Sequence, residues 1–544
     1  MIPTYITKAV ALIVQTAAIQ APPPSPPPPA ALLSSSSTLA ASLKVSFPNP
    51  GLALLPQPYW WWQSGTAVEA LLTYGSTTGD LQYEDLLKTT ILSQATPAND
   101  FMTIDATGND DQAWWGLAAI TAAEMELPQQ GAVAWVDLAK NVFDQQKQRW
   151  IDGNNTCGGG LRWKVDFGED GQNGWHYKNA ITNGLFFQLA ARIAQLTKDA
   201  EILSWAEKTY AWSTKVGLVD QDFNVYDGTS EDNGCSDLNH NMWSYNVGVY
   251  MYGAAVMAVH TKDEKWTERT RGFVASSKRN FVNTDTGALF ESKCEAKDAE
   301  EPCDTDQVSF KGLLARWLGA TAVLLPQVKE DVEKIVNPAA NAVHNGSILN
   351  LGPIESAYAL EVVDASLRMQ GLGGEGTIGV GKSRMARSVF HAYAYGTAFW
   401  YALRGFCRVY DPIMVIGWFR PPSQLNLAPN DLEAYNVRND GWCLVTLALI
   451  LVSFTNAIPF NSAPATKLTT IPYAKAVVAA TVFHHITTGI GAYQHYKMPS
   501  HYNTSMSIGV WGNVWLTLTG LFTLAMLQSD KGTMPVEEVT KKVR

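Results

Sequence analysis

The chain is short of charge. Asp, Glu, Lys and Arg make up 17% of its 544 residues, against roughly 25% in an ordinary soluble domain. Its 40 basic residues are outnumbered by 50 acidic ones, giving a net charge of -10. No Lys/Arg-rich patch stands out, which argues against a nucleic-acid partner. Cysteine is sparse: the six residues Cys157, Cys235, Cys294, Cys303, Cys407 and Cys443 show no CxxC or Cys/His spacing. No metal centre is therefore expected. Strand-like alternation is scarce, so a β architecture is not expected. Tryptophan, at 19 residues, is abundant. Aromatic richness with little charge suits a carbohydrate cleft and a membrane segment alike.

The most informative cluster is Asn109-Asp110-Asp111-Gln112-Ala113-Trp114-Trp115. Glycoside hydrolysis needs two carboxyls, one to attack or stabilise the sugar cation and one to protonate the leaving oxygen. Residues adjacent in sequence favour the close spacing of a retaining, double-displacement mechanism over the wider gap of inverting enzymes. The tryptophans offer flat apolar faces for sugar rings. Adjacent aspartates also cap helices, where they meet free N–H groups and the positive end of the dipole. Gly108 and Asn109 look like a helix start, and the two roles are compatible.

Further segments follow in order: Tyr59-Trp60-Trp61-Trp62-Gln63-Ser64-Gly65, Gly158-Gly159-Gly160-Leu161-Arg162-Trp163, Lys178-Asn179-Ala180-Ile181-Thr182-Asn183-Gly184, Val225-Tyr226-Asp227-Gly228, Trp243-Ser244-Tyr245-Asn246-Val247-Gly248 and Asp306-Gln307-Val308-Ser309-Phe310-Lys311-Gly312. From about Ser46 to Arg368 they resemble glycoside hydrolase family 76, especially the fungal cell-wall endo-α-1,6-mannanase-like proteins. The resemblance implies an all-α fold, an α/α toroid or (α/α)6 barrel, and activity on α-1,6-mannan without a cofactor. By motif position it implies Asp110 as nucleophile and Asp111 as general acid/base. Tyr59, Trp62, Asn109, Trp114, Trp163, Asn179, Asn183, Asp227, Asn241 and Asn246 become candidate substrate-binding residues. Amides and carboxylates suit sugars because they read vicinal hydroxyls. Fungal members are thought to act partly as transglycosidases on mannose-bearing glycolipid anchors, with wall glucan as a possible acceptor. Val247 stands where related sequences often carry a polar residue.

Periodicity alone gives a mostly helical chain, with helices expected over Tyr59–Tyr74, Gln112–Glu124, Ala132–Gln146, Ala180–Leu196, Glu201–Val216, Met242–Val259, Glu264–Phe281, Val308–Leu325 and Ile354–Leu367. Residues 1–21 read as a signal peptide and 22–45 as an unfolded Pro/Ser-rich linker. The glycosidase domain is expected over 46–370. Cys294 and Cys303 bracket a short acidic loop and are candidates to pair in an oxidising compartment. Cys157 and Cys235 each flank a suspected cleft motif and form a second candidate pair, while Cys407 and Cys443 are expected as free thiols. Asn154 and Asn345 head glycosylation sequons.

Beyond a glycine-rich linker at 371–387, the character changes. Trp442–Pro459, Tyr473–Tyr493 and Ile508–Leu527 are nearly free of charge and close to the roughly 20 residues that span a bilayer, with 388–403 a weaker fourth candidate in a membrane region at 388–544. His484 and His485 fall inside the second. The expected location is the secretory pathway, leading to the cell membrane or wall with a luminal or extracellular catalytic domain. The fungal group typically ends instead in a glycolipid-anchor signal. Two other readings stay open: an inactive mannan-binding domain on a membrane anchor, and a glycosidase fused to an unrelated small membrane protein.

Overall fold

In the computed structural model, the described residues are 27–128, 132–153, 156–167, 174–346, 348, 351–371, 376–453, 467–498 and 504–529. The expected signal peptide and the sequon at Asn154 lie outside them.

The first twelve helices are α1 (Pro29–Val45), α2 (Trp61–Thr78), α3 (Glu84–Gln94), α4 (Asn109–Glu124), α5 (Trp135–Asp152), α6 (Ala180–Thr197), α7 (Ala200–Lys215), α8 (Ser244–Thr261), α9 (Glu264–Phe281), α10 (Gln307–Leu324), α11 (Lys329–Asn345) and α12 (Pro353–Met369). They sort into two kinds. The even-numbered helices are buried on nearly every side; α6, for example, buries every residue from Ala180 to Ala194. They pack in order, α2 on α4, α4 on α6, α6 on α8, α8 on α10 and α10 on α12, and α12 returns to α2. The odd-numbered helices are amphipathic and cover this closed ring from outside. In α9 the buried residues Trp266, Thr270, Phe273, Val274, Ser277 and Phe281 follow the one-face spacing of a surface helix.

The expected 22–45 linker is corrected by α1. Leu32, Leu39, Ala40 and Leu43 are fully buried, and with Ser35 and Ser36 they recur at i, i+3, i+4, i+7, i+8 and i+11. That stripe packs on α12, and the Ser36 hydroxyl donates to Asp364 at 2.5 Å. A proline is tolerated at the first helical position, so the Pro-rich run precedes the helix without preventing it.

Charge fills part of the ring's interior. Glu69 of α2 accepts from Thr121 at 2.7 Å and pairs with Arg192 at 3.4 Å and with Arg316. Arg192 also meets Glu124 at 2.7 Å, and Arg316 meets Glu361 at 2.6 Å. Burial pushes the Glu69 carboxyl up, but the two guanidiniums and the Thr121 hydroxyl hold it below the usual range. Cys157 is bonded to Cys235 and Cys294 to Cys303, while Cys407 and Cys443 are free.

The remaining helices are α13 (Gly376–Tyr410), α14 (Pro412–Phe419), α15 (Asp431–Ser453), α16 (Lys467–Tyr496) and α17 (Thr504–Ser529). The expected glycine-rich linker thus gives way at Gly376 to a helix that also takes in 388–403. Among the described residues one single helix, Ser507–Leu527, is long and apolar enough to cross a bilayer. Of the three expected spans this helix matches the last, Ile508–Leu527; the first, Trp442–Pro459, extends outside the described residues. The described apolar part of α15, Trp442–Ser453, follows a turn carrying Arg438 and Asp440, and α16 carries Lys475, His484 and His485. The second of these histidines is buried and bonds to Tyr401 at 3.1 Å and Asn513 at 3.3 Å, linking α16 to α13 and α17.

Candidate active site

A cleft of about 750 Å³ opens over the N-terminal ends of the inner helices. Its lining comes from the first turns or caps of α2 (Trp61, Trp62, Ser64), α4 (Asp110, Asp111, Trp114), α6 (Asn179), α8 (Tyr245) and α10 (Asp306, Phe310). The segments between the helices add Tyr59, Trp60, Asp105, Trp163, Lys164, Tyr177 and Asp227. Several helix dipoles therefore direct their positive ends at one acidic site.

The aspartate pair sits in the first turn of α4. Asp111 reaches back to the N-cap: its Oδ2 accepts the Gly108 N–H at 2.7 Å and the Thr107 hydroxyl at 3.2 Å, the return half of a capping box. The capping role and the site role coincide in this residue. The Asp110 carboxyl folds over Gly108, where an added Cβ would lie 2.2 Å from its Oδ1. Only glycine leaves that carboxyl its place. Burial raises both carboxyls above the ordinary range, Asp110 the more strongly because the neighbouring Asp111 charge adds to it; Lys164 opposes both shifts. Lys164 is held by the Thr107 hydroxyl at 3.1 Å and lies 4.1 Å over the Trp163 ring. Two neighbouring carboxyls that both have raised proton affinity influence each other's titration. Of the two, Asp111 has the hydrogen bonds that favour a carboxylate, and Asp110 has the deeper burial that favours an acid.

The apolar wall is a stack of indoles. Trp62 lies on Trp114 at 5.4 Å, Trp114 on Trp317 at 6.1 Å, and Trp61 on Trp115 at 5.3 Å. Trp115 and Trp317 are core residues, whereas Trp60 is 55% exposed and stands at the rim. On the facing side Tyr245 stacks on Phe310 at 3.8 Å.

Tyr59, Trp62, Trp114, Trp163, Asn179 and Asp227 line the cleft. Asp227 accepts the Tyr177 hydroxyl at 2.6 Å and the Asn239 amide at 3.2 Å. A small antiparallel sheet of β1 (Tyr177–Asn179), β2 (Gly228–Ser230) and β3 (Leu238–Asn239) positions it. The other four candidates stand elsewhere. Asn109 is buried and holds the Arg162 carbonyl at 3.0 Å, while its N–H meets the Trp163 carbonyl at 2.8 Å. Asn183 clamps Leu161 through both its N–H (2.8 Å) and its carbonyl (3.0 Å). These two amides fix the strand-like run that presents Trp163. Asn246 is fully buried, and Asn241 meets the site through its carbonyl, which accepts the Asp227 N–H at 2.9 Å. The triple glycine before this run has positive φ throughout, and at Gly160 a Cβ would fall 2.1 Å from Trp212. The Cys157–Cys235 bond ties the same loop to the turn after β2.

Tyr245, Asp306, Phe310, Tyr177 and Lys164 were not among the expected site residues. Tyr245, Asp306 and Phe310 stand inside family-like segments, but only the folded ring brings their helix starts to one place.

The chain is 40% identical over 295 residues to a mannan endo-1,6-alpha-mannosidase of Eremothecium gossypii, covering 52% of this chain and 62% of that one. It is 38% identical over 290 residues to a putative mannan endo-1,6-alpha-mannosidase of Schizosaccharomyces pombe, covering 52% and 63%. It thus spans somewhat under two thirds of the length of these relatives. Among solved structures it resembles Dfg5 from Chaetomium thermophilum in complex with glucosamine, at 29% identity and a TM-score of 0.58 over 62% of this chain and 90% of that one. The fold also matches an α-1,6-mannanase of Salegentibacter sp. at 19% identity and a TM-score of 0.52 over 62% of this chain and 99% of that one. Residues 393–535 match a domain of unknown function, DUF8792. Residues 44–350, more than half of the chain and the whole of the cleft, match the model of glycosyl hydrolase family 76, and the chain belongs to that family.

Proposed function

We propose that the chain is a retaining, endo-acting α-1,6-mannosidase of the cell-wall type, built on an α/α toroid of six helix pairs, with α1 as the outer partner of α12. The observation that carries this reading is the Asp110–Asp111 pair, two adjacent carboxyls lining one indole-walled cleft. Its support from outside is the 40% and 38% identity to proteins named mannan endo-1,6-alpha-mannosidase.

Asp110 attacks the anomeric carbon while Asp111 gives its proton to the glycosidic oxygen, and the C–O bond to the leaving sugar breaks. The glycosyl ester on Asp110 is then resolved by water or by a sugar hydroxyl, whose proton returns to Asp111. The burial of Asp110 and the hydrogen bonds to Asp111 favour the opposite proton distribution in the free site. The assigned roles therefore require the proton to settle on Asp111 as positive charge grows beside Asp110. The indole stack and Tyr245 present flat faces to the rings, and Asn179 and Asp227 meet hydroxyls. The substrates proposed are α-1,6-mannan or mannose-bearing glycolipid anchors, with wall glucan a possible acceptor. The protein would pass through the secretory pathway, be held at the membrane by α17, and carry glycan at Asn154 and at the exposed Asn345.

The test is digestion of a labelled α-1,6-mannooligosaccharide by wild type, Asp110→Asn and Asp111→Asn, with products read by mass. Wild type should give shorter products, or longer ones if transfer dominates, and each variant should lose on the order of 10³-fold or more. Added azide should rescue Asp111→Asn with retained configuration and Asp110→Asn with inverted configuration. The opposite pattern would exchange the two roles, and full activity in both variants would refute the reading.

A further inference from the structure

Asp306 is a carboxylate in the cleft to which the hydrolytic steps give no task. It occupies the N-cap position of α10, where an aspartate ordinarily accepts first-turn N–H groups. Its side chain makes no capping bond. Asp304 does that work instead, accepting the N–H of Asp306 at 3.0 Å and of Gln307 at 2.9 Å. Freed of capping, the Asp306 carboxyl lines the cleft with Asp110, Asp111, Tyr245 and Phe310. Its buried Oδ1 has no hydrogen-bond partner among the described residues. A buried acceptor left without a donor calls for an explanation.

The segment behind it is braced. Gln63 donates to the Thr305 carbonyl at 2.9 Å and accepts the Trp60 N–H at 2.8 Å, so one buried amide ties this loop to the tryptophan wall. The Asp306 carbonyl accepts the Ser309 hydroxyl at 2.5 Å. Burial, Asp304 and Asp111 together push the Asp306 carboxyl up to about 7. Near neutral pH it can therefore accept a hydrogen bond from a hydroxyl or donate one.

We propose that Asp306 is a specificity-determining residue of this site. Its carboxyl binds hydroxyls of the sugar on the Asp111 side of the scissile bond, which is the leaving sugar in the first step and the acceptor sugar in the second. This rests on the α-1,6-mannosidase reading above and adds to it a residue that favours a sugar over water as acceptor.

The experiment uses the full chain in detergent. Binding of α-1,6-mannotetraose is measured by calorimetry in Asp110→Asn, which leaves the substrate intact, with and without Asp306→Ala or Asp306→Asn. In parallel, the ratio of transfer to hydrolysis is measured for Asp306→Asn alone. Asp306→Ala should weaken binding by roughly 10–100-fold, the range of a hydrogen bond to a charged group. Asp306→Asn keeps a hydrogen-bonding group, so it should weaken binding less while lowering the transfer ratio. Unchanged binding in Asp306→Ala together with an unchanged transfer ratio in Asp306→Asn would overturn the proposal. If Asp306→Ala does not fold, Asp306→Asn decides alone: binding within twofold and an unchanged ratio overturn it. If neither wild type nor Asp110→Asn binds mannotetraose, the mannan reading itself falls, and this proposal with it.

Discussion

Asp110 and Asp111 are neighbours in sequence but not in environment. One turns back to cap its own helix; the other folds over a glycine into the cleft. Gly108→Ala tests how much that placement matters. The backbone there has φ -116, which any residue adopts, and the added methyl would meet the flexible ends of the Asp110 and Asp111 side chains. The melting temperature should stay near wild type while kcat falls by about 100-fold, the scale of a 1 Å misplacement. Unchanged turnover would show that the carboxyl is not held there for catalysis. Glu291 gives a prediction on stability. It is fully buried, accepts the Ser244 N–H at 3.1 Å and the Ser244 hydroxyl, and lies just behind Tyr245. Burial pushes its carboxyl up to about 8. A folded-state pKa above the unfolded value of about 4.3 means that the native state keeps a proton the unfolded chain has lost. The resulting stabilisation is present at low pH and is lost as the pH rises toward 8. Melting curves from pH 5 to 9 should show wild type losing ground against Glu291→Gln, and parallel curves would contradict this.

At the scale of elements, the nine helices expected from periodicity are all present, and Glu264–Phe281 matches to the residue. Amphipathic outer helices carry their signal in one stripe, and inner helices show as long apolar runs. Three elements were not legible. The α1 stripe is diluted by serines and preceded by prolines, so its composition resembles a linker until Leu32, Leu39 and Leu43 are seen against α12. The short α3 has only a few apolar positions. In α11, Pro338 interrupts the pattern, although the helix runs through it. The site was legible as residue types and less so as positions. Asn183 and Asn109 share the chemistry of sugar ligands but spend their amides on backbone, and no local pattern separates the two uses. If α1 is the outer partner of α12, Leu39→Ala should cost about 2–5 kcal/mol, as for other buried leucines, read from denaturant unfolding. A cost below about 0.5 kcal/mol would place α1 outside the cooperative fold.

At the scale of the whole molecule, the closed ring gathers the starts of its inner helices at one end and a paired charge network between them. The cleft is thus acidic and partly dry, and helix dipoles favour its charged forms while burial favours the protonated ones. Among the described residues, the C-terminal helices add one single helix able to cross a bilayer and a buried Tyr401–His485–Asn513 chain. The central claim is the retaining cleavage of α-1,6-mannan by the Asp110–Asp111 pair. It is tested most directly by proton NMR of α-1,6-mannohexaose with a reduced terminus during the first minutes of digestion. The account predicts internal cuts whose new reducing ends appear first as the α-anomer and equilibrate later, with no signal from Asp110→Asn. First appearance of the β-anomer, or intact mannohexaose with wild type, would contradict it.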